Sequence, residues 1–527
     1  MSGVASPAAA RDRPSVSAAR DHPFLVATLA CTGLAALSAA VLPTVASYDP
    51  WSWIVWGKEV FDPHLSFFVG GGPSWKPLPV VFTAVFGLFG GAAPTLWVIA
   101  ARAGGLLGLV AAYRLAARLT EGRGWAVVAG LVAAAGIVLT QDWVYYMFRG
   151  TSEPMLIGTT LWAIDRHLER RYASAFVLGV ATSLLRPEAW PLMAVYAIWL
   201  WIREPLRPTV PSASGLGRPD RASVVRLRVL IVAGLLAIPV GWFVPPWIST
   251  GQPLLAASHA HQYNGHLGSH PFLEVLRRGT DIQVLPALIL GAVAVVLALL
   301  RAPRPLRWQT LDERDRLTLA LAGLVIVWWV IVVGMTLVGY PGLERFYLPA
   351  AAVTCCLAGS GVARLARLAA AGLQQAAPPI RISAAVTAGI VAVALIAVSI
   401  PFTATRVSTA RAQEPIAARA VKRLDQLSQA VAAVGGHDGV FPCHRSFAAV
   451  NHSVQTALAW KLHVTLGRVG TSMRHQGLLF AGPHDSIDGG LPRVSPRLIQ
   501  RQLLATAGVW RVYRLTAPGA STGCVGH

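Results

Sequence analysis

The chain runs to 527 residues, 54% hydrophobic and only 13% charged, with a formal net charge of +21. Soluble domains carry about 25% charged residues, so this composition excludes an ordinary soluble enzyme. The charge does not point to nucleic acid either: 41 of the 45 basic residues are Arg, no basic stripe is interleaved with aromatics, and the arginines cluster at the ends of apolar segments, where they report membrane topology.

A helix needs roughly 20 apolar residues to cross about 30 Å of hydrocarbon. On that basis the sequence predicts eleven spans, at 24–45, 95–119, 124–140, 152–166, 173–186, 188–202, 229–249, 283–300, 317–338, 346–366 and 383–402. The apolar stretch of the first is too long for a cleaved signal peptide, so it reads as a retained span. With residues 1–23 as a cytoplasmic tail, the inner loops hold 23 basic residues and the outer loops 8, which sets the orientation by the positive-inside rule. Counting Pro77–Gly90 as a span would invert every later segment. It therefore reads as a helix lying in the outer interface, within a first outer loop at 46–94 that also carries Trp51, Trp53, Trp56 and Trp75.

The expected fold class is an α-helical polytopic membrane protein with a small extracytoplasmic α/β domain at 403–527. The membrane part divides into a module at 24–249 and additional helices at 250–402. In the C-terminal part, Arg406–Val434 reads as a helix, and Gly439–Cys443, Leu462–Val469, Gly477–Phe480 and Val509–Leu515 read as strands. The outer compartment is oxidising, so Cys443 and Cys524 are a candidate disulfide, with two unpaired thiols as the alternative. Cys31, Cys355 and Cys356 sit in apolar segments as packing residues, and no Cys-x-x-Cys spacing occurs.

No Walker loop, zinc-protease or nucleophile-elbow motif is present. What remains is charge at the outer ends of spans, where ionisable groups are costly and serve function by default. Asp49 follows the first span directly. It is placed either as a general base for a hydroxyl or as a cap for the helix that follows. The membrane part has just two lysines, Lys58 and Lys76, both in this loop; they suit a phosphate or a snorkelling role. Arg149 with Glu153, Arg186 with Glu188, and Glu344 with Arg345 form compact outer groups, fit for ion pairs or for an anionic ligand. His259, His261, His266 and His270 match no metal spacing and read as loop histidines.

Taken in order, these residues resemble the GT-C superfamily of membrane glycosyltransferases. The likeness is to the protein-O-mannosyltransferase and aminoarabinose-transferase branch and to actinobacterial cell-envelope enzymes. There an acidic residue follows the first span, a Lys/Pro-led interfacial helix ends in Phe-Gly, and an Arg opens the second span. Asp49, Lys76-Pro77-Leu78-Pro79, Phe89-Gly90 and Arg102 match that pattern, and Arg345-Phe346-Tyr347-Leu348-Pro349 matches a late Arg-x-x-Leu-Pro element. The acidic pair of mannosyltransferase first loops is missing, since Asp49 stands beside Pro50.

The resemblance implies inverting sugar transfer from a polyprenyl-phosphate donor to an envelope glycan, lipoglycan or protein at the plasma membrane. Asp49 would be the base, and Lys76, Arg345 and Arg149 would hold the donor phosphate. Lys58, Glu153, Arg186, Glu188, Glu344, Tyr347 and Arg102 would line the substrates. No metal ligand or cofactor is assigned, and a divalent metal stays an open alternative. A transporter or lipid flippase, and a non-catalytic envelope-assembly partner, remain as alternatives; membrane lipid is a partner in every case and nucleic acid in none.

Overall fold

The computed structural model describes residues 23–203, 221–262, 268, 270–303, 307–376, 383–443 and 446–518. Its membrane part is a bundle of helices. Each predicted span coincides with one: α1 (Pro23–Val41), α4 (Ala93–Arg118), α5 (Arg123–Val138), α7 (Glu153–Leu168), α8 (Tyr172–Leu185), α9 (Trp190–Arg203), α10 (Arg221–Thr250), α13 (Leu285–Arg301), α14 (Glu313–Leu337), α15 (Leu348–Ala376) and α16 (Ala384–Ala433). Between them lie α2 (Tyr48–Glu59), α3 (Pro77–Gly87), α6 (Trp143–Arg149), α11 (Leu255–Gln262) and α12 (Pro271–Asp281). Among the described residues, six helices are long and apolar enough to cross a bilayer, or up to eight if two bent pairs count as spans. The protein is a multi-pass membrane protein.

α15 is the hub. Its apolar stretch is wholly buried, and α5, α13, α14 and α16 pack around it. α1 is the opposite case, with Leu29, Leu37 and Val41 more than half exposed, as expected of side chains facing lipid. α4 and α7 approach so closely that a Cβ on Gly158 would sit 2.3 Å from the Gly104 carbonyl oxygen. Small residues at such a crossing let backbones touch where lipid offers no hydrophobic drive for association. This contact fixes the N-terminal half of α7, at whose start Glu153 sits.

α3 is the segment that charge bookkeeping removed from the spans. Prolines at its first positions favour initiation, and its 11 residues reach only about 16 Å, half a bilayer core. Val81, Val85, Leu88 and Phe89 on and after it are exposed. An apolar face on so short a helix suits an interfacial position. The inner face of α3 packs on α2, where a Cβ on Gly57 would meet the Thr83 backbone at 2.4 Å.

The C-terminal domain corrects the sequence reading in three ways. Its helix is continuous with the last span: α16 is 50 residues long and runs through Pro401 and Pro415. Gly439–Cys443 is not a strand: α17 (Gly436–Val440) takes its first two residues and the remaining three are irregular. Leu462–Val469 is mostly not a strand either; α18 (Gln455–Leu462) ends there, and only β2 (Val469–Gly470) follows. The other two predicted strands appear as β4 (Gly477–Ala481) and β7 (Trp510–Thr516). They join β1 (Ala448–Val450), β2 and β6 (Gln500–Ala507) in a mixed sheet of order β2-β1-β4-β7-β6. β1 runs parallel to β2 and β4, and β7 pairs antiparallel with β4 and β6. Cys443 is disulfide-bonded; Cys524 lies outside the described residues.

The domain sits on the first outer loop. α18 packs against α2: Thr456 Oγ1 donates to the Tyr48 carbonyl at 2.9 Å, and the Tyr48 hydroxyl donates to Gln455 Oε1 at 3.0 Å. The C-terminal domain and the Asp49 loop therefore share one face of the molecule.

Candidate active site

Asp49 lies in the first turn of α2, half-buried. The cap position of α2 is Ser47, whose side chain makes no capping bond, and among the described residues the Asp49 carboxylate bonds no N–H of its own helix. Instead Oδ1 accepts from the Ser74 backbone N–H at 3.2 Å, while Trp53 Nε1 donates to the Ser74 carbonyl at 2.9 Å. Ser74 is thus pinned on both sides, two residues before Lys76. Among the described residues Oδ2 of Asp49 has no hydrogen-bond partner, so one oxygen is left for a ligand.

Lys76 precedes α3 and turns into the protein, 4% exposed. Its Nζ donates to Ser152 Oγ at 2.5 Å, lies 3.5 Å from Glu153 Oε1, and sits over the Trp53 ring at 5.4 Å. Burial pushes the ammonium down to about 8, helped by the charges of Arg186 and Arg345 and opposed by Glu153 and Asp49. One buried lysine thus lies within the field of all four residues, which come from four separate segments.

The outer charge pairs rearrange in space. Glu153 is 2% exposed and pairs with Arg186 Nη2 at 2.8 Å, not with Arg149. Arg186 lies over the Phe346 ring at 4.6 Å and reaches Glu188 only at 3.9 Å. Arg345 acts on both Lys76 and Glu153. Glu344 turns away, 3.8 Å from Arg278 Nε. Tyr347 is fully buried with its ring 4.8 Å from that of Trp329.

Besides Glu344, three expected site residues lie outside this cluster. Arg102 donates to the Met147 carbonyl at 3.1 Å, Ser38 Oγ at 3.1 Å and the Pro43 carbonyl at 2.8 Å, so it ties the end of α1 to α6. Lys58 donates to His463 Nδ1 at 2.6 Å and lies 3.4 Å from Asp62, in the seat of the C-terminal domain. Arg149 lies in the field of Asp488 of that domain, with its Nε and Nη1 buried and without a hydrogen-bond partner among the described residues.

Two groups escaped the sequence reading. Ser152, the partner of Lys76, carries no signal except its place beside Glu153. Glu59 is 3% exposed, and its Oε2 accepts from the Phe68 N–H at 2.8 Å. Burial pushes its carboxyl up to about 8. Among the described residues no three His, Cys, Asp or Glu side chains are grouped to hold a metal ion; His266 lies outside them.

Near the cluster runs an apolar groove of about 630 Å³, lined by Phe272, Leu276, Val325, Trp329, Val333 and Leu337 among others. Trp329 is the ring against Tyr347, two residues past Arg345.

No protein-family model matches the chain, and no curated protein matches it. Solved structures do. ArnT from Cupriavidus metallidurans bound to undecaprenyl phosphate superposes with a TM-score of 0.51 at 14% identity, covering 94% of this chain and 98% of that one. The apo state of the same protein gives 0.48 at 13% identity, with the same 94% and 98% coverage. An Archaeoglobus fulgidus oligosaccharyltransferase in complex with Zn and sulfate gives 0.43 at 14%, covering 83% of this chain and 61% of that chain. ArnT, an aminoarabinose transferase, is a GT-C membrane glycosyltransferase. This chain has the GT-C fold.

Within the GT-C fold of this protein, the 46–94 loop, the N-terminal end of α7 and the turn before α15 form one charged cluster beside the C-terminal domain. The apolar groove lies between α12 and α14, and Trp329 in its wall packs on Tyr347.

Proposed function

We propose that the protein is a membrane glycosyltransferase that moves a sugar from a polyprenyl-phosphate donor to an envelope acceptor on the outer face. The observation that carries this reading is Lys76. It is buried against Ser152 and Glu153 and shares its surroundings with Asp49, Arg186 and Arg345. A base and a set of cations in one place suit attack by a hydroxyl and departure of a phosphate.

The step is an in-line displacement. Asp49 Oδ2 takes the proton of the acceptor hydroxyl. The hydroxyl oxygen forms a bond to the anomeric carbon while the bond from that carbon to the phosphate oxygen breaks, inverting the centre. The departing polyprenyl phosphate gains negative charge, which Lys76 and Arg345 meet with fixed positive charge. Glu153 offsets part of the charge of Arg186 and Lys76 and leaves net positive charge for the donor phosphate. The prenyl chain would lie in the groove beside Trp329, and the C-terminal domain would hold the acceptor over Asp49.

Asp49→Asn keeps the size of the side chain and the oxygen that accepts from Ser74. The expected result is a fall in transfer of at least about a hundredfold, the scale of a lost general base, with donor binding kept. Full activity in that variant overturns Asp49 as the base. Purified protein given a panel of polyprenyl-phosphate sugars would show which sugar it accepts, and no turnover of any of them would count against the donor class.

A further inference from the structure

On the face opposite Asp49, the ends of α4, α13, α14 and α15 enclose a polar pocket of about 300 Å³. We infer that this pocket binds the phosphate of an anionic phospholipid headgroup, a site separate from the donor site and independent of the proposed transfer reaction.

Most charges of the pocket are already paired within the protein. Arg364 is buried and fully committed: Nη1 lies 2.5 Å from Asp315 Oδ1, Nη2 donates to Thr318 Oγ1 at 2.9 Å, and Nε donates to Ser360 Oγ at 3.0 Å. Arg367 pairs with Glu121 at 3.3 Å. Asp312 caps α14 by accepting from the Arg314 N–H at 3.0 Å. All three acids of the lining are therefore engaged within the protein. Arg301 and Arg314 also line the pocket, and neither side chain has a partner among the described residues. Two guanidinium groups line a cavity in which Glu121 and Asp315 are paired to other arginines and Asp312 accepts from its own helix N-terminus, and such a pair fits the oxygens of a phosphate.

The rim identifies the source of that phosphate. Leu299, Leu300 and Leu368 are 48%, 69% and 42% exposed, and they adjoin Arg301 and Arg367 in the chain. Exposed leucines beside a cationic pocket at the end of membrane helices present surface to acyl chains as well as to a headgroup. A free phosphate would use the arginines alone. By the positive-inside count this face is the cytoplasmic one, where anionic lipid is met.

The test uses the full chain in nanodiscs of phosphatidylcholine alone or with phosphatidylglycerol, followed by thermal unfolding and native mass spectrometry of retained lipid. Phosphatidylglycerol is expected to raise the Tm of the unmodified protein and to stay bound on release from the disc. The R301Q/R314Q variant should lose both effects. It should still fold, because neither arginine has a partner to leave unpaired. R203Q removes a charge outside this pocket and should keep both effects. The inference is overturned if R301Q/R314Q keeps the full lipid response. It is equally overturned if R203Q loses as much, which would mean diffuse attraction, or if inorganic phosphate in phosphatidylcholine discs reproduces the shift.

Discussion

Glu153 and Arg186 lie 33 residues apart and pair at 2.8 Å, whereas Glu153 and Arg149, one helical turn apart in sequence, do not pair. The reason is the break at Gly150, which ends α6 with a positive φ of 62° and starts α7 in a new direction. Arg149 is turned toward the C-terminal domain, and Glu153 is left to Lys76 and Arg186.

Removing one member of a buried ion pair strands the other, at a cost of about 3–5 kcal/mol. Glu153→Gln strands Lys76 and Arg186 together. It should lower the Tm markedly and weaken donor binding, while Glu153→Asp should recover part of both. Unchanged melting of Glu153→Gln would show that Lys76 and Arg186 do not depend on this carboxylate.

Lys76 gives a pH dependence with two opposite signs. Its ammonium is held down to about 8 from 10.5, and the proposed reaction needs it protonated. Activity should therefore fall on the alkaline side with an apparent pKa near 8, a limb that Lys76→Arg should move beyond the measurable range. For stability the sign reverses. Between about 8 and 10.5 the unfolded chain binds more protons than the folded one, so the lysine's own contribution to stability rises with pH across that window. Activity and Tm measured together against pH separate the two. A flat alkaline profile would remove Lys76 from the phosphate site.

Much of this was legible in the sequence, and the limits have physical causes. Long apolar runs specify helices because every backbone group in a bilayer must be satisfied within its own helix, so a helix lies at each of the eleven predicted positions, of which six to eight are long and apolar enough to cross among the described residues. α3 was found because arginine placement forbade an extra crossing. The pairing of Lys76 with Ser152, across 76 residues, was not legible, since no local pattern encodes which loops meet. Nor was the seating of Gln455 on Tyr48, 407 residues away. β1 is three residues long and gives no alternation to read. α16 runs on past the bilayer because Pro401 and Pro415 are tolerated inside it, although proline marks a break more often than not.

Glu59 predicts a stabilising substitution. Its carboxyl is pushed up to about 8 from 4.5 by burial, so the folded state holds more protons than the unfolded state between those values. Stability from this group is fully present below about 4.5 and is lost as pH rises through about 8. Glu59→Gln keeps an oxygen for the Phe68 N–H and removes the titration. Its stability should exceed that of the unmodified protein at pH 8 by roughly a few kcal/mol, read as a higher Tm, and the two should match near pH 4.5. A variant that melts lower at both pH values would show that Glu59 is needed as an anion.

The seat of the C-terminal domain can be tested apart from the chemistry. Tyr48 neighbours Asp49, and its hydroxyl donates to Gln455 while its carbonyl accepts from Thr456. Gln455→Ala removes one acceptor, which costs about 1 kcal/mol, and also frees the Val469 carbonyl that Gln455 Nε2 holds at 2.6 Å. If the domain presents the acceptor to Asp49, the KM for acceptor should rise severalfold while the Kd for donor stays constant, because Lys76 and Arg345 lie on the membrane part. If both constants move together, the contact serves the whole cluster rather than the acceptor. If neither moves, the domain contributes nothing to the reaction, and the acceptor must approach Asp49 from the lipid side of the first outer loop.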